Sequence, residues 1–122
     1  MERRRVTHRD RQRLERARDH YLRDCYRKQT AARASEFADY LGVTAAYLSR
    51  LSTAVAGVSV RDFHRRRQLT YAEQLLRSTP LPVSEIAIAS AFGTPSTFYR
   101  CFVAAYGSTP GAFREVMKCD TR

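Results

Sequence analysis

The stretch Thr44-Ala-Ala-Tyr-Leu-Ser-Arg-Leu51 recurs later in the chain in modified form as Thr94-Pro-Ser-Thr-Phe-Tyr-Arg-Cys-Phe102. Each copy begins with threonine, which is a good amino-terminal helix cap, and then places a large apolar residue followed by an arginine, Arg50 or Arg100. A short apolar run with a glycine-containing turn precedes each copy. The sequence therefore predicts two units, each made of a short helix, a tight turn and a second helix.

The chain has 122 residues and a formal net charge of +10, from 22 basic and 12 acidic residues. This length suits one or two small units that share a core and leaves no room for a separate catalytic domain. The charge favours a polyanionic partner, either nucleic acid or an anionic membrane surface. Nearly all the basic residues are arginines, which suit phosphate and guanine, but a GC-rich genome produces the same bias.

Several classes of function find no support in the residue pattern. The 3 cysteines and 3 histidines show neither metal-ligand nor catalytic-triad spacing, and no glycine-rich phosphate loop or pair of carboxylates is present. We therefore expect no enzyme, no metal and no cofactor. No apolar run approaches the roughly 20 residues of a transmembrane helix, and no signal peptide follows the basic amino terminus. We expect a cytoplasmic protein with no membrane partner.

The positions of caps and prolines predict an all-α fold, because no segment alternates as a strand would. Ser59 caps a long helix that Pro80 and Pro82 end, and Thr94 and Thr109, each followed by proline, start two further helices. The predicted organisation is a basic flexible arm over 1–13 and a folded domain over 14–118. The domain divides into a first subdomain at about 14–57, a linker helix at about 59–79 and a second subdomain at about 83–117.

The order and spacing of residues across this region resemble one known family. The matching positions are Ala38, Leu41-Gly42-Val43-Thr44, Tyr47-Leu48-Ser49-Arg50-Leu51, Gly57-Val58-Ser59, Leu69, Ala72, Leu75-Leu76, Ile86-Ala87, Phe92, Ser96, Phe98, Arg100, Phe102, Tyr106-Gly107, Thr109-Pro110 and Phe113-Arg114. Together they resemble the DNA-binding domain of AraC/XylS-type transcriptional regulators over roughly residues 15–117. The resemblance implies seven helices in two helix-turn-helix subdomains joined by a long linker helix. It also implies that the third and sixth helices enter successive major grooves of double-stranded DNA, and it suggests RNA polymerase as a second partner.

Four positions depart from the pattern of the family. Ser52 stands where a large aromatic residue is usual, Arg67 where an apolar residue is usual and Gln68 where an arginine is usual. Ala91 stands where glycine is frequent. Ser52 predicts a smaller core in the first subdomain, and the four departures together predict a less stable first half.

The candidate DNA contacts follow from the helical period. Arg50 and Arg100 lie two residues beyond Leu48 and Phe98, a rotation of about 200°, so they point away from the core. The predicted base-reading residues are Ala46, Ser49, Arg50, Ser96, Thr97 and Arg100. The predicted phosphate contacts are Thr44, Arg65, Arg66, Arg67 and Thr94, although the three arginines in a row also suit an ordinary solvated helix face. The tyrosines at 47, 71, 99 and 106 are interpreted as packing residues, and Ala105 as a core residue.

The sequence thus predicts a sequence-specific transcription regulator that binds double-stranded DNA as a monomer, because its two recognition helices differ. Two alternatives stay open at this point. One is a non-catalytic protein-interaction module, and the other is a degenerate regulator fragment with weak nonspecific nucleic-acid binding. Ser52, Arg67 and Gln68 favour the alternatives, whereas the paired arginines Arg50 and Arg100 favour retained DNA recognition.

Overall fold

The computed structural model describes residues 7–120, apart from the side chains of residues 119 and 120. Over this range the chain forms seven helices and no strand, which confirms the predicted all-α fold. The helices are α1 (His8–Lys28), α2 (Ala34–Leu41), α3 (Ala45–Ala56), α4 (Val60–Ser78), α5 (Val83–Ala89), α6 (Pro95–Tyr106) and α7 (Pro110–Asp120). None of them is long and apolar enough to cross a membrane.

Helix α1 begins earlier than the sequence predicts. The Thr7 side chain accepts a hydrogen bond from the Asp10 amide at 3.2 Å, and the Asp10 carboxylate accepts one from the Thr7 amide at 3.0 Å. This reciprocal capping box starts the helix at His8. Arg11 then donates to the Val55 carbonyl of α3 at 3.1 Å. The predicted flexible arm is therefore wrong from His8 onwards, and residues 1–6 lie outside the described range.

The first core lies between α1, α2, α3 and the start of α4. Its buried members are Leu14, Tyr21, Leu22, Cys25, Phe37, Ala38, Leu48, Val55, Val60 and Phe63, together with Ala91. Ser52 is also fully buried, and its hydroxyl donates to the Val58 carbonyl at 2.8 Å. The short side chain at position 52 is thus compensated by a hydrogen bond that closes the turn between α3 and α4.

The second core lies between the rest of α4 and helices α5, α6 and α7, and it is strongly aromatic. Phe98 and Phe102 are fully buried and meet edge to face at 5.6 Å between ring centroids. Arg114 of α7 closes the end of α4, because its guanidinium donates to the carbonyls of Leu76, Thr79 and Leu81 at 3.2, 3.1 and 2.6 Å. The bond to Leu76 satisfies a carbonyl that the end of α4 leaves without an intrahelical partner, and the other two bonds hold the segment that follows α4.

The two cores are joined by a buried junction at Ala91, after the end of α5. Gln68 of α4 is buried, and its side-chain amide donates to the Ser90 and Ala91 carbonyls at 2.9 Å each. The Ala32 amide, between α1 and α2, donates to the same Ala91 carbonyl at 3.0 Å. Ala91 has a left-handed backbone with φ of 67°, which costs a residue other than glycine about 1–2 kcal/mol. We call Ala32, Gln68, Ser90 and Ala91 the junction.

Replacing Gln68 by leucine puts an apolar side chain in its place and removes both donated bonds. We expect a loss of about 1–3 kcal/mol in the free energy of unfolding, because the buried Ser90 carbonyl then lacks this donor. Urea denaturation measures the loss. The matched control is Gln74→Leu at an exposed position of the same helix. Equal effects of the two substitutions would contradict the assigned role of Gln68.

His64 is a buried polar residue in the first half of the fold. Its ring packs edge to face on Phe37 at 4.9 Å and tilted against Tyr21 at 5.5 Å. Among the described residues, its Nε2 atom has no hydrogen-bond partner. Burial, and to a smaller extent the nearby positive charge of the Arg18 guanidinium, together lower the pKa of His64 from 6.5 to about 4. The imidazole is therefore neutral in the folded state at neutral pH.

This pKa predicts a specific acid sensitivity. Between pH 6.5 and about 4 the unfolded chain binds a proton at His64 that the folded chain does not, so stability falls as the pH falls through this window. The lowered pKa corresponds to roughly 3 kcal/mol of unfolding free energy. His64→Leu should remove that component of the pH dependence, whereas His20→Gln at an exposed site should keep it. Urea denaturation across the pH range measures both, and parallel curves for wild type and His64→Leu would refute the prediction.

Candidate nucleic-acid interface

Helices α3 and α6 are built to the same plan. Both have 12 residues. The side chains of Thr44 and Thr94 accept hydrogen bonds from the amide three residues later, at 3.1 and 3.2 Å. Each helix ends at a left-handed glycine, Gly57 with φ of 73° and Gly107 with φ of 76°. The predicted caps at both threonines are confirmed, and matched sequence positions therefore lie at matched places on the two helices.

The two helices bury one face and expose the other, as the period predicts. Leu48 and Phe98 are buried, whereas Arg50 and Arg100 are exposed. Ala46, Ser49 and Ser96 are exposed as well. Thr97 is only half-buried, and its hydroxyl accepts a hydrogen bond from the Thr94 hydroxyl at 3.0 Å. The structure thus brings five of the six predicted base-reading residues to the exposed faces and places the sixth beside the cap.

Two exposed tyrosines extend these faces. Tyr47 in α3 is 48% exposed and Tyr99 in α6 is 40% exposed, so their interpretation as packing residues is wrong. Each lies one residue from an inward position, about 100° around the helix, which is a boundary position that the period leaves undecided. Tyr106 is 36% exposed as well, but it and Tyr71 pack against neighbouring rings. The Tyr106 ring stacks on Phe102 at 4.3 Å, and Tyr71 stacks on a tyrosine of α1 at the same distance.

A groove with a volume of about 490 Å³ lies between the first half of α4 and the exposed side of α6. We call it the arginine groove. It is lined by Val58, Arg61, Asp62, Arg65, Arg66, Leu69, Arg100, Cys101, Ala104 and Ala105. The lining holds four guanidinium groups and one carboxylate, a balance that favours an anion such as a phosphate. Ala105, predicted to be buried, is exposed in this groove.

The three consecutive arginines do not act as one group. Arg65 and Arg66 line the arginine groove, but Arg67 points towards α1, where its Nε lies 3.6 Å from the Asp19 carboxylate. Arg61 joins Arg65 in the groove instead, although the sequence prediction omitted it. The signal was available, because residues four apart lie on one face of a helix whereas residues two apart do not.

A family model described as a helix-turn-helix domain matches residues 37–115. The chain belongs to the AraC/XylS family of DNA-binding transcriptional regulators. Among curated proteins it is similar to the uncharacterized HTH-type transcriptional regulator YfiF of Bacillus subtilis, with 37% identity over 84 residues, which make up 69% of this chain and 26% of that protein. It is also similar to GlxA of Rhizobium meliloti, with 36% identity over 60% of this chain and 22% of that protein. The AraC/XylS domain described here thus spans about a quarter of these relatives.

Solved structures show the same architecture. The C-terminal domain of AraT, a response regulator from Geobacillus stearothermophilus, superposes with a TM-score of 0.74 and 29% identity, covering 84% of each chain. The DNA-binding domain of AdpA, solved in complex with a target DNA, superposes with a TM-score of 0.74 over 86% of this chain and 96% of that one. Its identity is 16%, so this second similarity is one of fold.

Proposed function

We propose that this AraC/XylS domain binds one specific, asymmetric DNA sequence as a monomer, with α3 and α6 in successive major grooves of one face of the duplex. The observation that carries the proposal is the duplication of one helix plan. Both helices have a threonine cap and a left-handed glycine end, and each exposes an arginine at the same position, Arg50 or Arg100. A guanidinium in the major groove can donate two hydrogen bonds to O6 and N7 of a guanine.

The arrangement of the two helices supports simultaneous binding. Entry into adjacent major grooves requires a separation of about 34 Å. Helix α4 connects the two helix-turn-helix units and, with 19 residues, is roughly 28 Å long. Its first turn shares a core with α3, and its second half shares a core with α6. The junction bonds of Gln68 hold the turn before α6 against α4, which limits rotation of one unit relative to the other.

The arginine groove adds a path for the DNA backbone. Arg61, Arg65 and Arg66 lie beside Arg100, so a phosphate strand adjacent to α6 would meet several guanidinium groups. We assign these three residues to phosphate contacts, and also the amino termini of α3 and α6 at Thr44 and Thr94, where a helix attracts anions. Arg67 is omitted from the proposed interface because it faces Asp19 of α1.

The residues that favoured a degenerate fragment instead have structural partners. Ser52 bonds the Val58 carbonyl, Gln68 bonds two carbonyls of the junction, and Arg67 lies against Asp19. These contacts support an intact fold, so the three residues no longer count as signs of decay. We also propose a cytoplasmic location, because a bacterial regulator meets its DNA there. RNA polymerase, the second partner proposed, would contact a surface outside α3, α6 and the arginine groove.

The first test separates base reading from charge. Selection from duplexes with about 25 random base pairs, enough for two sites one helical turn apart, yields a preferred sequence. Arg100→Ala should cost about 1–3 kcal/mol on that duplex and leave binding to a scrambled duplex nearly unchanged. Arg66→Ala should weaken binding to both duplexes similarly and lower the slope of log affinity against log salt by about one.

Arg27→Ala is the matched control for loss of one charge, because Arg27 lies on α1 and pairs with Asp24 at 2.7 Å. Arg27→Ala should leave the affinity for the preferred duplex, the affinity for the scrambled duplex and the slope of log affinity against log salt nearly unchanged. The measurement is affinity for both duplexes over a series of salt concentrations. If Arg100→Ala weakens both duplexes equally, Arg100 is a phosphate contact and the base-reading role of α6 is wrong.

The second test concerns stoichiometry. The exposed faces differ, with Ala46 and Ser49 in α3 but Ser96 and Tyr99 at the matching positions of α6. Two unlike helices recognise two unlike half-sites, so one chain should fill the selected site without a palindrome. Native mass measurement of the complex should give one chain per duplex. A requirement for two chains on an inverted repeat would disprove the monomeric arrangement.

A further inference from the structure

Each recognition helix carries a branched side chain one turn after its arginine. Val103 follows Arg100 by three residues in α6, and Thr53 holds the matching position after Arg50 in α3. Both are exposed, Val103 to 41%. A single exposed valine is ordinary on a protein surface. Here, however, a branched side chain occupies the same exposed position next to an arginine in both helices. This repetition indicates that Thr53 and Val103 belong to the same surface as Arg50 and Arg100.

The hydroxyl of Thr53 is engaged within its own helix. Its Oγ1 donates to the Ser49 carbonyl, one turn earlier in α3, at 3.1 Å. A threonine hydroxyl bonded back to its own helix has its proton already engaged, and the γ-methyl is the group that remains for a partner. Thr53 and Val103 therefore offer the same chemistry, a methyl group on a β-branched side chain with few rotamers.

With α3 and α6 in major grooves, this methyl group would lie close to the base pair that the arginine reaches. Residues three apart lie on one stripe of a helix and are separated by about 4.5 Å along its axis. Successive base pairs are about 3.4 Å apart. In the major groove, the apolar group on a base edge is the C5 methyl of thymine.

We propose that Thr53 and Val103 are specificity-determining residues, each of which recognises the C5 methyl of a thymine one or two base pairs from the base read by Arg50 or Arg100. The inference rests on the proposed function, since it requires α3 and α6 to lie in major grooves. It extends that function by assigning a second base to each half-site and by naming the chemical group that is recognised.

The test removes single methyl groups from the DNA. In the duplex obtained by selection, each thymine is replaced in turn by deoxyuracil, which keeps the base pairing and lacks only the C5 methyl. Burial of a methyl-sized group is worth about 0.8 kcal/mol, which converts to about a fourfold change in affinity. For the wild-type chain we expect this loss at one thymine near the base pair read by Arg100. A second such thymine should lie about one helical turn away, near the base pair read by Arg50.

The protein variants assign each methyl to a side chain. Val103→Ala should bind the first deoxyuracil duplex as well as it binds the parent, and should still lose about fourfold at the second. Thr53→Ser keeps the hydroxyl and removes the methyl, so it should show the reverse pattern. The controls are Val116→Ala, at an exposed site in α7, and Thr70→Ser, whose hydroxyl donates to the Arg66 carbonyl at 3.0 Å. Both controls should respond to deoxyuracil as the wild type does.

The outcomes separate this inference from the proposed function. If one sequence is selected but every deoxyuracil costs the wild type and the variants the same affinity, the methyl assignment is overturned and sequence-specific binding stands. If selection enriches no sequence, the proposed function and this inference both fail. Thermal unfolding of Thr53→Ser and Val103→Ala should match the wild type, because both side chains are exposed.

Discussion

The arrangement of the whole domain depends on three hydrogen bonds that converge on the backbone at Ser90 and Ala91. Two come from the side-chain amide of Gln68 and one from the Ala32 amide. They hold a strained, left-handed alanine of the second unit inside the core of the first. Because α6 follows this turn directly, the same bonds that satisfy buried carbonyls also orient the second recognition helix. The junction therefore contributes both to the stability of the fold and to the orientation of α6.

Local chemistry predicts most of the fold. The threonine caps of α3 and α6 and the proline-rich end of α4 are visible in the sequence, and the predicted linker helix differs from α4 by one residue at each end. Only the start of helix α1 was placed too late, because an arginine-rich stretch resembles a solvated arm, although Thr7 and Asp10 have the spacing of a capping box. A cap of this kind outweighs composition, since it satisfies amides that the first turn of a helix leaves free.

The candidate site was less predictable because it depends on neighbours in space. The helical period placed Arg50 and Arg100 outwards but could not show that Arg67 faces Asp19 or that Arg61 shares a groove with Arg100. The departures at Ser52 and Gln68 were also misleading as signs of decay. Their partners, the carbonyls of Val58 and of the junction, belong to backbone whose position only the folded chain defines.

The bonds made by Arg18 and Arg114 change how the composition of the chain should be understood. The guanidinium of Arg114 spans three carbonyls at the end of α4, and that of Arg18 lies over the Phe63 ring at 4.3 Å and bonds the Phe63 carbonyl. Donors engaged in this way cannot also bind a polyanion. The formal charge of +10 thus includes arginines whose guanidinium groups are bonded within the fold, together with the cations that face outwards. When the chain binds a polyanion such as DNA, the number of counterions released from the polyanion depends on the outward-facing cations alone, which are fewer than the formal charge suggests.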